Sequence, residues 1–238
     1  MPNRALITGA SRGLGLALAR ALAADGWELV IDARGERDLR AVADELGTRV
    51  PVRAVAGDVA HERHRRDLVD AVDALGGGLD VLVHNASLLG PSPQPAVADY
   101  PLAELERVYA ANVFGPLRLT QLLLGRMGPD ARIVSITSDA AVEPYEGWGG
   151  YGSSKAALEQ WTRVLAVERP DLRVYVVDPG DMRTQMHQDA FPGEDISDRP
   201  LAETSVPGLL TVIEGDLPSG RYEARALAPA DLAAGVAS

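Results

Sequence analysis

The sequence predicts an α/β fold, a doubly wound parallel sheet of about seven strands with helices on both faces, in one domain over residues 1–238. Strand-like apolar runs alternate with helix-length stretches throughout, with no internal repeat and no long low-complexity linker. A glycine-rich turn, Gly9-Ala10-Ser11-Arg12-Gly13-Leu14-Gly15, joins the first such run to the first helix. The 238 residues, 46 % of them hydrophobic, suit one substantial core.

Taken in order, Arg4-Ala5-Leu6-Ile7-Thr8 reads as a buried strand near 3–8, and Leu16 to Ala24 has the length and composition of a helix, near 13–25. Val30-Ile31-Asp32-Ala33 ends a second strand near 27–33, followed by a helix near 36–46. Strands near 51–56 and 79–84 flank a helix near 61–75. A long helix near 101–127 precedes the apolar strand Arg132-Ile133-Val134-Ser135-Ile136-Thr137, within 131–137. A helix near 151–169, a strand near 172–178, a helix near 200–214 and a strand near 220–226 complete the alternation. Right-handed crossovers place a ligand at the carboxyl ends of the strands, where Gly9, Asn85, Ser138 and Pro179 fall.

Two patterns carry chemistry. A glycine-rich strand-to-helix turn lets backbone N–H groups approach a pyrophosphate above the positive end of a helix. Its spacing here is Gly-x3-Gly-x-Gly, which alone could be only a tight turn, but its position after the first strand of an alternating chain favours nucleotide binding. In Tyr151-Gly152-Ser153-Ser154-Lys155, the phenol and the ammonium lie one helical turn apart on one face. A lysine cation about 5 Å from a phenol is worth roughly 3 kcal/mol at an effective dielectric of about 20, so the Tyr151 pKa is expected to fall by about two units.

Together these motifs resemble the classical short-chain dehydrogenase/reductase family, and further landmarks follow in order from about Arg4 to Tyr222. Ser138, thirteen residues before Tyr151, matches the family's catalytic serine, and Asn112 in Ala111-Asn112-Val113-Phe114-Gly115 matches the asparagine that kinks a central helix and holds a relay water. Asp58-Val59 matches the pair beside the adenine, and His84-Asn85-Ala86-Ser87 matches the Asn-Asn-Ala-Gly element with two substitutions. Asp178-Pro179-Gly180 and Thr184 match the segment that seats the nicotinamide amide. The resemblance implies a Rossmann fold and an oxidoreductase acting on a small carbonyl or alcohol substrate. It implies Asn112, Ser138, Tyr151 and Lys155 as the catalytic set. Gly9, Ser11, Arg12, Gly13, Leu14, Gly15, Arg34, Asp58, Val59, Asn85, Ala86, Tyr151, Lys155, Pro179, Gly180 and Thr184 would then hold the cofactor.

Cofactor choice turns on the end of the second strand. The family's acid position for NAD falls on Ala33, with Arg34 next to it and Arg12 a second cation, which favours NADP. NAD is the alternative, because a shift of one residue would bring Asp32 to the ribose. No metal is required. His61 and His64, three apart, could suggest a metal pair, but their charged neighbours read as a solvated helix face.

The formal charge of −11 and pI near 4.8 oppose a nucleic-acid or anionic-membrane surface, and no apolar run approaches a membrane span. With no cysteine there is no disulfide framework or thiolate nucleophile, and the chain opens on a strand, so a cytoplasmic protein is expected. The helices near 101–127 and 151–169 are apolar on more than one face, and the resemblance implies a homodimer or homotetramer built on them. Gly90-Pro91-Ser92-Pro93-Gln94-Pro95 is expected to wall the active-site mouth, the resemblance implies that residues 183–200 form a mobile substrate lid, as a loop of that length is more often functional, and residues 228–238 are expected to be a disordered end or a subunit strap. Trp148 and Tyr145 fall where the family's pocket wall runs, with a merely packed loop the equal alternative, and Trp161 reads as packing or subunit contact. The leading class is a carbonyl reductase or alcohol dehydrogenase. A redox-sensing dinucleotide binder and a non-redox epimerase or dehydratase are the alternatives.

Overall fold

The computed structural model describes residues 2–227, so the expectation for the tail at 228–238 lies outside the described residues. Strands β1 (Arg4–Ile7), β2 (Glu28–Ala33), β3 (Val52–Ala56), β4 (Val81–His84), β5 (Arg132–Ile136), β6 (Arg173–Asp178) and β7 (Gly220–Glu223) form one parallel sheet in the order β3-β2-β1-β4-β5-β6-β7. The helices are α1 (Gly13–Ala24), α2 (Glu36–Leu46), α3 (Glu62–Ala74), α4 (Leu102–Tyr109), α5 (Gly115–Leu123), α6 (Gly149–Glu168), α7 (Gln185–Ala190), α8 (Val206–Glu214) and α9 (Ala224–Leu227). None of the described helices is long and apolar enough to cross a membrane.

Strand side chains alternate between two cores, as the period of two requires. Ala5, Ile7, Leu29 and Ile31 face one core with α1, α2 and α8, while Leu6, Val30, Leu82 and Ile133 face the other with α3 and α5. Burial of each Leu or Ile contributes about 1.5–3 kcal/mol, so the strands are fixed from both sides. Strand order reverses between β1 and β4, and that switch point opens a crevice at their carboxyl ends.

Three elements differ from the sequence expectation. The helix expected over 101–127 is interrupted by a π turn at Ala110–Phe114 and closes in a 3-10 turn at Leu124–Arg126. Pro116, at the start of α5, has no N–H to donate to the Asn112 carbonyl four residues earlier, which favours a local change of register there. The last strand ends at Glu223, because Ala224 turns into α9 and packs its backbone against Gly208 of α8. The helix expected over 200–214 begins as a 3-10 turn, Ala202–Ser205.

Candidate active site

The glycine turn is built by its neighbours. The Thr8 hydroxyl donates to the Val83 carbonyl (3.2 Å) and accepts from the Asn85 and Ala86 amides (3.0 Å each). Asn85 returns its side-chain amide to the carbonyls of Thr8 (2.8 Å) and Gly9 (3.1 Å), locking β1 to β4 just beyond the sheet. Gly9 has φ +70°, and a Cβ on it would lie 2.9 Å from the Ala86 backbone, so glycine is required twice over. Gly15 is needed for another reason: a Cβ there would strike the Gly9 carbonyl and the Asn85 amide.

Asp32 lines the cleft beside Ala33 and Arg34, but its carboxylate is already taken up inside the protein. It is 1 % exposed, and its carboxylate accepts from the Gly9 amide (2.7 Å) and meets His64 Nε2 (2.8 Å). Burial pushes the Asp32 carboxyl above the ordinary range, and the His64 and Gly9 hydrogen bonds work against that. The solvated face expected around His61 and His64 is therefore corrected. His61 is exposed ahead of α3, but His64 and Arg65 are buried, and His64 is the inward partner of Asp32.

A cleft of about 890 Å³ runs along the carboxyl ends of the strands. Of the expected cofactor residues, Gly9, Ser11, Arg12, Gly13, Leu14, Arg34, Asp58, Val59, Asn85, Ala86, Pro179, Gly180 and Thr184 line it, together with Ser138, Tyr151 and Lys155. Gly15 lies behind the turn and Asn112 behind the wall, so neither lines the cleft. Arg12 and Arg34 are exposed at one end, where Ala33 closes β2. Asp38, in the first turn of α2, also reaches this rim, 3.3 Å from Arg37; the sequence reading missed it. No side chain caps the amino end of α1, so its first amides remain available to an anion.

At the other end, Tyr151, Lys155 and Glu159 form a stripe one turn apart along α6, and all three are buried. Lys155 donates to the Ile136 carbonyl (2.8 Å) and stands 5.5 Å from the centre of the Tyr151 ring. The expected fall in the Tyr151 pKa is not found. Burial pushes the phenol up, a Ser87 hydrogen bond opposes this, and Asp178 and Asp139 push it higher. Burial likewise holds Lys155 down at about 8, against the pull of Glu159. Glu159 accepts from Thr137 (2.8 Å) and pairs with Arg221 (3.2 Å), a network the i, i+4, i+8 spacing could have signalled.

The sign of this shift gives a stability prediction. Between about pH 8 and the ordinary value of 10.5, the unfolded chain holds the Lys155 proton and the folded chain releases it, so stability rises with pH. From about pH 7 to 9.5 the native protein should gain roughly 2 kcal/mol that Lys155→Met lacks, as read by urea unfolding. Equal pH dependence in the two proteins would mean that Lys155 titrates as a free lysine.

Ser138 donates to Asp139 (2.8 Å), which also accepts from the Ala140 amide (2.8 Å) and the Tyr145 hydroxyl (3.0 Å). Sequence reasoning missed this hub. Asn112, 1 % exposed, donates to Leu88 O and Ser154 Oγ (2.9 Å each) and accepts from Leu88 N (2.7 Å) and Ser87 Oγ (3.2 Å). Its amide is thus fully used in tying the strand-end loop to α6, and only its backbone could serve a water. His84 is buried, shares a 2.7 Å hydrogen bond with Thr120, packs against the edge of Trp161 and is held down to about 3 by burial.

The 183–200 segment carries α7, capped by Thr184, and Met186, His187 and Ala190 line the cleft. The 90–95 segment does not line it. Leu88 and Leu89 do, and Ser92 instead donates to the Asp189 carbonyl of α7 (2.6 Å).

The family model described as short chain dehydrogenase matches residues 3–195. The chain belongs to that family. As a short-chain dehydrogenase it is an NAD(P)-dependent oxidoreductase. It is 36 % identical to the sepiapterin reductase of Mus musculus over 197 residues, 77 % of this chain and 76 % of the relative. It is 34 % identical to the benzil reductase ((S)-benzoin forming) of Saccharomyces cerevisiae over 193 residues, 77 % and 73 % of the two chains. A crystal structure of a Shigella flexneri short-chain dehydrogenase complexed with NADP superposes with a TM-score of 0.86 at 28 % identity, covering 94 % of this chain and 97 % of that one.

Proposed function

We propose that this short-chain dehydrogenase is an NADP-dependent carbonyl reductase, running in reverse as an alcohol dehydrogenase. The observation that carries the reading is the meeting of Tyr151, Lys155 and Ser138 in one cleft with the uncapped amino end of α1. The residues fit a dinucleotide: the amides after Gly9 face the pyrophosphate position, Asp58 and Val59 the adenine, and Arg12 and Arg34 a 2′-phosphate. Pro179, Gly180 and Thr184 line the same cleft and, by the family resemblance, would seat the carboxamide. The NADP in the Shigella relative supports the same choice.

The bound cofactor supplies the hydride. Tyr151, a phenol that is neutral at its ordinary pKa and that burial pushes further up, donates its proton to the carbonyl oxygen as charge develops there. Ser138 hydrogen-bonds the same oxygen after turning its proton from Asp139. Lys155, 5.5 Å from the centre of the Tyr151 ring, stabilises the transient tyrosinate and would hold the ribose of the bound cofactor. The Asn112 backbone supports the water that reprotonates it. Apolar side chains exposed on the π turn and α6, Phe114 (58 %), Val164 (42 %) and Val167 (82 %), support self-association as a homodimer or homotetramer.

The test is a panel of ketones, quinones and aldehydes assayed with NADPH and with NADH by nicotinamide absorbance. Turnover with NADPH at the higher kcat/KM is expected. Tight binding of both dinucleotides with no turnover would make the protein a sensor, and preference for NADH would overturn the cofactor assignment.

A further inference from the structure

A third apolar cluster, separate from the two cores of the sheet, surrounds Tyr151. It contains Leu89, Ala140 and the Tyr151 ring, with Trp148, Met186 and Ala190 packed against them. Trp148 directly precedes α6, which sets its indole 5.8 Å from the phenol ring at 74°, edge to face. From the lid, Phe191 meets the same indole at 5.9 Å and His187 lies 4.9 Å from Phe191. The half-buried indole, with Met186 and Ala190, lines the end of the cleft that holds Ser138 and Tyr151.

The polar groups at this end of the cleft, Ser138, Asp139, Gln185 and His187, stand around an apolar wall of Leu89, Trp148, Met186 and Ala190. Asp139 lines the cleft and holds the Ser138 hydroxyl at 2.8 Å, so a carboxylate on the substrate would meet a negative charge there. Arg12 and Arg34 stand exposed at the other end of the cleft, while Arg107 pairs with Glu104 (3.1 Å) and Arg183 donates towards the Ser197 carbonyl (3.4 Å).

We infer that the substrate is an uncharged carbonyl compound bearing an aromatic ring, which lies against Trp148 under the Met186–Phe191 stretch of the lid while its carbonyl points to Tyr151. This rests on the carbonyl-reductase reading above and names the substrate class of the same site. An aromatic ring in such a box binds about 2- to 12-fold better than an aliphatic ring of equal area. Met186 can adapt to its outline.

Three ketones of matched carbonyl reactivity separate the possibilities: 4-phenylbutan-2-one, 4-cyclohexylbutan-2-one and 4-(3-oxobutyl)benzoate. With NADPH, the phenyl compound should exceed the cyclohexyl compound in kcat/KM by roughly 3- to 10-fold, and the carboxylate should be the poorest. Trp148→Ala should bring the phenyl-to-cyclohexyl ratio towards one, and Trp148→Phe should restore it. Equal use of the two rings, an unchanged ratio in Trp148→Ala, or preference for the carboxylate overturns the inference. If none of the three is reduced with either cofactor, the carbonyl-reductase reading fails by itself. Titration calorimetry of the NADP-loaded protein then judges the pocket. Tighter binding of the phenyl compound, lost in Trp148→Ala, upholds the aromatic site, while equal or absent binding of both rings overturns it.

Discussion

Tyr151→Phe should lower kcat for carbonyl reduction by about 10²- to 10⁴-fold, the range that a positioned general acid contributes. The ring is 7 % exposed and packed against Trp148, and phenylalanine keeps that packing, so the NADPH dissociation constant should stay within a few-fold. The lost hydroxyl is buried and its pKa is raised, so its removal leaves no charge uncompensated. Stability should therefore change little. The pH dependence adds a second sign. Reduction needs the neutral phenol, which burial favours, whereas alcohol oxidation needs the tyrosinate, so the oxidative rate of the native enzyme should climb with pH on the alkaline side. Steady-state rates in both directions, with a fluorescence titration of NADPH, decide it. Reduction by Tyr151→Phe at near-native rate would remove Tyr151 from the proton's path, and a lost NADPH affinity would make it a binding residue instead.

What could be read in the sequence follows from what local pattern encodes. Parallel strands buried on both faces appear as unbroken apolar runs, so β1, β2, β5 and β6 were visible within a residue or two. The spacing of Tyr151 and Lys155 is a helical period and survived intact, as did the position of the glycine turn after β1. Encounters between distant polar groups were not legible. His64 reaches Asp32 across 32 residues, and nothing in the charged run around His61 marks which of its side chains turns inward. Asp139 stands beside Ser138 in the chain, yet its grip on the hydroxyl depends on the 3-10 turn at Asp139–Ala141. The pKa of Tyr151 failed as an expectation for a related reason. Spacing fixes how far apart two charges lie, but only the fold fixes how dry the phenol is, and here burial is the larger influence.

The remaining large effect separates Asp32 from Arg34, neighbours but one at the end of β2 that do different work. Asp32→Ala deprives the Gly9 amide and His64 Nε2 of their shared acceptor inside the protein. Each orphaned buried donor costs about 1–3 kcal/mol, so for the two a loss of roughly 2–6 kcal/mol in folding stability is expected. Because Gly9 begins the turn over which the pyrophosphate would lie, NADPH and NADH should weaken together, with their ratio unchanged within about twofold. Arg34→Ala touches neither the turn nor the core, since its side chain is exposed on the cleft rim. It should leave stability within about 0.5 kcal/mol while weakening NADPH alone by roughly 1.5–3 kcal/mol, the scale of a charge-assisted hydrogen bond to phosphate. Ala33→Asp should go further and reverse the preference, because a carboxylate there repels the 2′-phosphate and accepts from free ribose hydroxyls. The measurements are urea unfolding and paired titrations of each variant with the two dinucleotides. A selective loss of NADH in Asp32→Ala would show that the carboxylate leaves His64 to bind the ribose, and the assignment of NADP to this cleft would fall with it.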